Sequence, residues 1–404
     1  MAQPLFGFDS DDTLADRESA VRSALCTAAG PAEKSAARAS APMHLAVALD
    51  WADHGQGEAS TSLLDPRYWT GLVDLARQAT LDFVVVEDSL APPAADGSEA
   101  ARLDAVLTLC RVAPQVADVG LIPAVTTTHT EPFHVSKAIA TLDWISKGRA
   151  GWQAEVSTTE QEAGHIGRRP APAGAELWQE AEEAVDVVRR LWDSWEDDAE
   201  IRDAATGRFL DRDKVHRIDF QGRFFSVKGP AIVPRSPQGQ PLVVLRVSGG
   251  DELALAARHA DVVRLAAASP SQAAETAGLL REQARLAGRA PGEPRILADL
   301  AVLLTDGHGP AREHEKRIAA LAARTGCFTG TAEQLADTLG EWRRRTAVDG
   351  FTLLPSVLPD DLERLAKQAA PALRRRGLLR ERYTATTLRG HFGLERPANR
   401  YVTT

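Results

Sequence analysis

Residues 83–125 read FVVVEDSLAPPAADGSEAARLDAVLTLCRVAPQVADVGLIPAV. The stretch opens on a short apolar run, Phe83–Glu87, and ends on another, Val119–Val125, with a helical pattern over Glu99–Val112 between them. Runs that are apolar throughout, rather than alternating, are what parallel strands buried on both faces require. The same unit recurs on either side. Further strands are expected at Met43–Leu49, Arg149–Val156, Leu242–Val247, Val262–Leu265, Ile296–Leu304 and Gly350–Leu354. Helices are expected at Pro66–Ala79, Pro132–Ile145, Glu176–Trp195, Asp251–Arg258, Ser271–Gly288, Thr331–Arg345 and Asp360–Arg375. In the fourth helix Leu177, Ala181, Ala184, Val185, Val188, Leu191, Trp192 and Trp195 recur at helical intervals and mark one buried face. Eight strands, each followed by a helix, close a (β/α)₈ barrel of the TIM type. A doubly wound open sheet is the rival arrangement, and the strand count favours the barrel. It should run from about residue 43 to 375, with a tail packing on it or on a neighbour. An insertion near residues 200–240, rich in Asp, Gly, Arg and Pro, breaks the rhythm.

The chain has 404 residues, 44% of them hydrophobic and 25% charged, which excludes a largely disordered protein and allows a sizeable core. A formal net charge of −9 argues against a nucleic-acid-binding field. Cys26, Cys110 and Cys327 are odd in number and share no metal-type spacing, as in a reduced cytoplasmic protein. No apolar run approaches the roughly 18 residues of a membrane span, and no secretory signal pattern opens the chain. Residues 1–42 are expected to be an extension and linker, ending in the small, polar GPAEKSAARASA of Gly30–Ala41.

Asp9-Ser-Asp11-Asp-Thr13 matches the DxDxT of haloacid-dehalogenase-type phosphatases, whose first Asp attacks phosphorus. Only Leu5–Phe8 precede it and the linker follows by Gly30, so a capped turn is the better account. His54 follows the first strand, and His129 and His134 the third, on the barrel face where active sites are built. Each is a candidate for proton transfer or a loop histidine bonded to backbone. No His and carboxylate set has ligand spacing, so no metal is expected. Ser248-Gly249-Gly250, between the fifth strand and its helix, is either a phosphate cradle or a simple turn. Asp88 ends the second strand, where its carboxylate can accept from a cofactor or cap the next turn.

Five strings carry a resemblance: Thr126–His134 (TTTHTEPFH), Ala140–Trp152 (ATLDWISKGRAGW), Leu191–Ala199 (LWDSWEDDA), Gly229–Pro241 (GPAIVPRSPQGQP) and Thr386–Pro397 (TTLRGHFGLERP). In this order they resemble the bacterial-luciferase-like superfamily, in its branch of nitrilotriacetate, dibenzothiophene-sulfone and pristinamycin-type monooxygenases. The resemblance spans residues 43–397 and implies a TIM barrel that receives FMN as FMNH₂ from a separate NAD(P)H:flavin reductase. It then uses O₂ to oxygenate a small organic substrate. The protein's part in such chemistry is to position the reactants and exclude water. By this resemblance the flavin contacts would be Asp88, Thr126, Gln153, Ser157, Arg246, Ser248 and Gly249, with His54 as acid, base or electrostatic stabiliser. A homodimer or larger assembly is expected, and neither a nucleic acid nor a membrane partner.

The sequence departs from the family at several of these positions. Gln153 stands for an Asn, Ala124 for a Thr, Gly174 and Trp178 for a His and Tyr pair, and Arg246-Val-Ser-Gly249 for Ala-Gly-Ser-Ser. These changes keep a second reading open, a barrel that has lost flavin and serves as a partner subunit or works without it. The segments Trp51–Thr61, Ser89–Gly97 and Thr126–Phe133 carry no Lys or Arg. With only Arg246, Arg149 and Arg168 near the site, a neutral or weakly charged substrate is expected, on an apolar wall including Trp51 and Phe133.

Overall fold

The computed structural model describes residues 42–49, 63–92, 102–172, 174–306 and 325–402, with five positions between 307 and 324. Eight parallel strands form a closed ring: β1 (His44–Leu49), β2 (Phe83–Val86), β3 (Gly120–Thr126), β4 (Gly151–Glu155), β5 (Leu242–Val247), β6 (Val262–Leu265), β7 (Arg295–Leu304) and β8 (Gly350–Pro355). Neighbours pair in sequence order, and β8 returns to β1 with His44 opposite Gly350. At that seam a Cβ on residue 350 would lie 1.9 Å from the His44 carbonyl oxygen, so only glycine lets the first and last strands meet. The ten-residue β7 overhangs the ring, and an additional strand, Gly326–Gly330, pairs with its outer half, Leu300–Leu304.

Each strand sends alternate residues to two cores. Leu45, Val47, Val84, Val86, Leu121, Val243, Leu245, Val263, Ile296 and Phe351 face the helices. Ala46, Ala48, Phe83, Val85, Ile122, Leu242, Val244, Val262 and Leu297 fill the barrel interior. Both faces are buried, which is why the strands read as unbroken apolar runs. The outer layer is α1 (Pro66–Gln78), α2 (Ala105–Val112), α3 (Pro132–Ser146), α4 (Ala175–Asp193), α5 (Glu252–His259), α6 (Pro270–Leu286), α7 (Ala332–Arg345) and α8 (Asp360–Arg375, with a π turn at Leu365–Ala369). Local chemistry sets their starts. The Asp65 side chain accepts from Arg67 N before Pro66 opens α1, and Thr331 and Gln334 form a capping box on α7. In α1, Trp69, Leu72, Val73 and Ala76 are buried at helical spacing.

The amino ends of the strands are sealed. Leu388 and Phe392, from the tail beyond α8, join the interior cluster, and the His391 ring meets the Asp82 carbonyl. The tail thus packs on the barrel itself. Residues 200–240 form two small hairpins, Glu200–Asp203 with Arg208–Leu210 and Phe220–Gln221 with Ser226–Val227. They rest on α4 through Ile218 and Ala231 against Val187 and Leu191, away from the strands' carboxyl ends. Asp82, Asp261 and Asp349 immediately precede β2, β6 and β8. Each accepts a strand N–H from the neighbour before it, from Leu45, Val243 and Ile296 at 2.8–2.9 Å. Each also meets an arginine: Arg380, Arg189 and Arg281 respectively. No described helix is long and apolar enough to cross a membrane.

Candidate active site

At the carboxyl ends of the strands the barrel interior turns from apolar to charged. Glu87, Glu155, Arg246, Arg264 and Asp299, with Gln153, lie two or four residues beyond the inward-facing Val85, Gly151, Val244, Val262 and Leu297. The period-2 alternation of a strand therefore aims all six inward. Arg264 and Asp299 are fully buried, joined by two hydrogen bonds from Nε and Nη2 at 3.1 and 3.0 Å. The same guanidinium meets Glu87 and donates to Gln153 Oε1 at 2.8 Å. The Gln153 amide in turn donates to Glu87 Oε2 at 2.8 Å and to Glu155 Oε1 at 2.7 Å. Arg246 donates through Nε to Asp299 at 3.2 Å, and its two terminal amino groups make no hydrogen bond among the described residues.

The electrostatics follow from who is paired. Burial alone would lower the Arg264 pKa, but Asp299 and Glu87 outweigh it and hold the guanidinium charged. Burial pushes Glu155 up to about 7, and the neighbouring Glu87 adds to this, against the opposing pull of Arg246, Arg264 and the Gln153 amide. An ionisable carboxyl thus stands among fixed charges at the mouth, and shifts of this kind mark functional sites.

Hydroxyls and a glycine turn flank this network. Thr126 Oγ1 and Ser157 Oγ, both buried, are 3.0 Å apart, and Ser157 N donates to Thr128 Oγ1 at 3.0 Å. Thr126 lies opposite Glu155 in the β3–β4 register. After β5, Ser248-Gly249-Gly250 turns sharply, with φ of 124° and 86° at the glycines. Ser248 N and Oγ both donate to Glu252 Oε1, at 3.0 and 2.9 Å, so the turn already holds a carboxylate oxygen.

The expected site residues are thus divided. Thr126, Gln153, Ser157, Arg246, Ser248 and Gly249 all lie at the strands' carboxyl ends. Asp88 lies there too, but its carboxylate is occupied, accepting from Ser89 N at 2.8 Å and Ala105 N at 3.1 Å. It ties the loop after β2 to the start of α2, and burial raises its pKa against those two bonds. His54 and Trp51 lie outside the described residues, as do Asp9, Asp11 and Thr13. His134 is exposed, whereas both ring nitrogens of His129 are enclosed without a hydrogen-bond partner among the described residues. Phe133 does not line the mouth. It packs with Val187, Leu191, Ile218 and Ala231, because α3 turns that side chain toward α4. Arg149 is at the opposite end, buried on the carbonyls of Ser146, Val119 and Ala113. Arg168 is exposed near Glu131, at 3.9 Å. Gly174 caps α4 and Trp178 packs on its core face. Glu87, Glu155, Arg264 and Asp299 escaped a reading centred on loops. Their signal was one charge at the inward parity of otherwise apolar strands.

A closed parallel barrel with its polar constellation at the carboxyl ends of the strands is a TIM-barrel enzyme. Residues 43–350 match the family model of luciferase-like monooxygenases, and the chain belongs to that family. It is 33% identical to N-acetyl-S-(2-succino)cysteine monooxygenase of Bacillus subtilis (strain 168), over 83% of this chain and 91% of that one. It is 29% identical to component A of nitrilotriacetate monooxygenase of Aminobacter aminovorans, over 83% and 91%. Among solved structures, riboflavin lyase with modified FMN and riboflavin superposes with a TM-score of 0.78 at 24% identity, over 89% and 97%, a likeness of fold.

Proposed function

We propose that this enzyme is an FMNH₂- and O₂-dependent monooxygenase of a small organic molecule, supplied by a separate NAD(P)H:flavin reductase. The observation that carries this reading is the convergence of donors and acceptors from β2 to β7 at one end of the barrel. The residues fit such a cofactor at both ends. For the phosphate, Ser248 N–H and Oγ already seat an anionic oxygen, that of Glu252. Arg246, two residues earlier on the same strand face, has unbound amino groups whose geometry suits a phosphate. For the polar edge of the ring, Thr126, Ser157, Gln153 and Glu155 bring hydroxyl, amide and carboxyl groups together. Bound there, reduced flavin supplies the two electrons that activate O₂. Asp88 acts at one remove, by holding the loop after β2.

With Arg246 engaged by the cofactor and Arg168 facing Glu131, few cations remain for a polyanion, which supports a neutral or weakly charged substrate. The test is equilibrium titration with reduced and oxidised FMN, then NADH-driven turnover with an added reductase. Binding of the reduced form tighter than ~100 μM, about −5 kcal/mol, is expected. No binding of either form would favour the barrel without flavin. Clear preference for a polycarboxylate over a neutral heteroaromatic would refute the substrate assignment alone.

A further inference from the structure

Among the described residues the barrel mouth carries more acid than base. One connected set of side chains holds three carboxyls, Glu87, Glu155 and Asp299, and two guanidiniums, Arg246 and Arg264. These are the charged groups facing Glu155 from β2, β5, β6 and β7, while β3 brings the hydroxyl of Thr126. Asp299 is gripped by both arginines and Glu87 by Arg264. The Glu155 carboxyl touches neither, and among the described residues its partner is the Gln153 amide, which it shares with Glu87. An enclosed cluster holds an uncompensated negative charge only at high cost, so it retains one proton. That proton belongs on the carboxyl without an arginine. Glu155 ends β4, is half-buried and lies opposite Thr126, so its acid group borders the space a substrate must enter.

We propose that Glu155 is the proton donor of the oxygenation, carrying the exchangeable proton of a network whose other described members balance in charge. This rests on the flavin monooxygenase reading above. In that reaction O₂ accepts four electrons, two from reduced flavin and two from the substrate. One oxygen atom bonds to the substrate and the other departs as water. As the O–O bond breaks, its electron pair stays with the departing oxygen, which takes the Glu155 proton and, to complete water, one of the two protons that reduced flavin gives up. The carboxylate recovers the other of those two protons. The raised pKa of this carboxyl, near 7, fits a donor at neutral pH.

Two measurements test this. Infrared difference spectra of the full chain without flavin, between pH 5 and 9, should show a protonated carboxyl that titrates near neutrality and vanishes in Glu155→Gln. With FMN and a reductase, Glu155→Gln should lower kcat by about 100-fold and abolish the loss of activity as pH rises past 7. Any loss of reduced-FMN affinity, to whose ring Glu155 also presents an acceptor, should stay well below the loss in kcat, and Glu155→Asp should keep part of the rate and an alkaline limb. Unchanged kcat with the alkaline limb intact in Glu155→Gln would overturn the donor role. So would absence of the infrared signal in a wild-type chain that binds FMN. A wild-type chain that binds no reduced FMN would overturn the flavin reading and the donor role together, while the infrared signal would still report where the proton sits.

Discussion

The two ends of the barrel use the same ingredients, buried carboxylates and arginines, to opposite effect. At the amino ends of the strands each aspartate is matched. Asp82, Asp261 and Asp349 accept a strand N–H and meet a guanidinium, and Asp82 also meets the His44 imidazole at 3.0 Å. Burial there would raise the Asp82 and Asp261 pKa values, but their cationic partners win and both fall below the ordinary carboxylate range. At the mouth the described acids outnumber the arginines, and one carboxyl is raised instead. A matched set locks neighbouring strands in register. An unmatched set leaves a group whose charge can change, which is the requirement of chemistry rather than of stability.

The largest effect should come from the buried cation at the centre of the mouth. Arg264→Met leaves Asp299 and Glu87 facing each other without it, and should cost about 3–5 kcal/mol in urea unfolding. Adding Asp299→Leu should restore much of that loss, since a buried pair is often replaceable by apolar groups. A single-mutant loss under about 1 kcal/mol would mean that the mouth is not held by this cation. Asp82→Asn should follow, at about 2–4 kcal/mol near neutral pH. The sign with pH is set by its depressed pKa. The stabilisation is whole above the unfolded value near 3.9, and fades as pH falls toward the folded one, so variant and wild type should converge in acid.

Glu155→Gln should do the reverse. The wild-type carboxyl is raised, so its share of stability is present below about pH 4.3 and lost as pH rises through 7. Above pH 7 the variant should therefore be more stable, by about 1–2 kcal/mol because water at the mouth screens part of the effect. Equal thermal midpoints for the two proteins at pH 8 would contradict the contrast between the barrel's ends. Smallest should be Ser248→Ala, which removes one hydroxyl bond to Glu252 and should cost about 0.5–1 kcal/mol, read as a shift in the urea midpoint.

The barrel was legible in the sequence because its strands are buried on both faces. All eight expected strands are present, with ends within two residues of those observed, and Leu242–Val247 and Val262–Leu265 coincide with them. The strand Gly326–Gly330 was not legible. Its GCFTG has glycine at both ends, and it exists only because β7 overhangs the ring. In the expected helix Glu99–Val112 the described residues begin at 102, and the helix starts at Ala105 behind an Asp104 cap. The site was legible in part. A Gly-rich turn after a strand announces itself, and Ser248 and Gly249 were legible that way, whereas Thr126, Gln153, Ser157 and Arg246 came only with the family resemblance. Glu87, Glu155, Arg264 and Asp299 sit inside or at the ends of apolar runs, where a lone charge is easily passed over as a strand boundary. Their meaning emerges only when parity along each strand is compared across the ring.

The seam at Gly350 has a consequence for how the enzyme comes into being. Its partner His44 is some three hundred positions earlier in the chain, so joining them carries the loop-closure entropy of nearly the whole barrel. Every described charged member of the mouth, from Glu87 to Asp299, leaves the ribosome before β8 does. Until that last strand arrives, the network belongs to an open sheet with two unpaired edges, a form prone to sticking to other chains. Assembly should accordingly be slow and dominated by long-range pairing. A side chain at residue 350 would leave the half-made form waiting for a closure that can no longer occur.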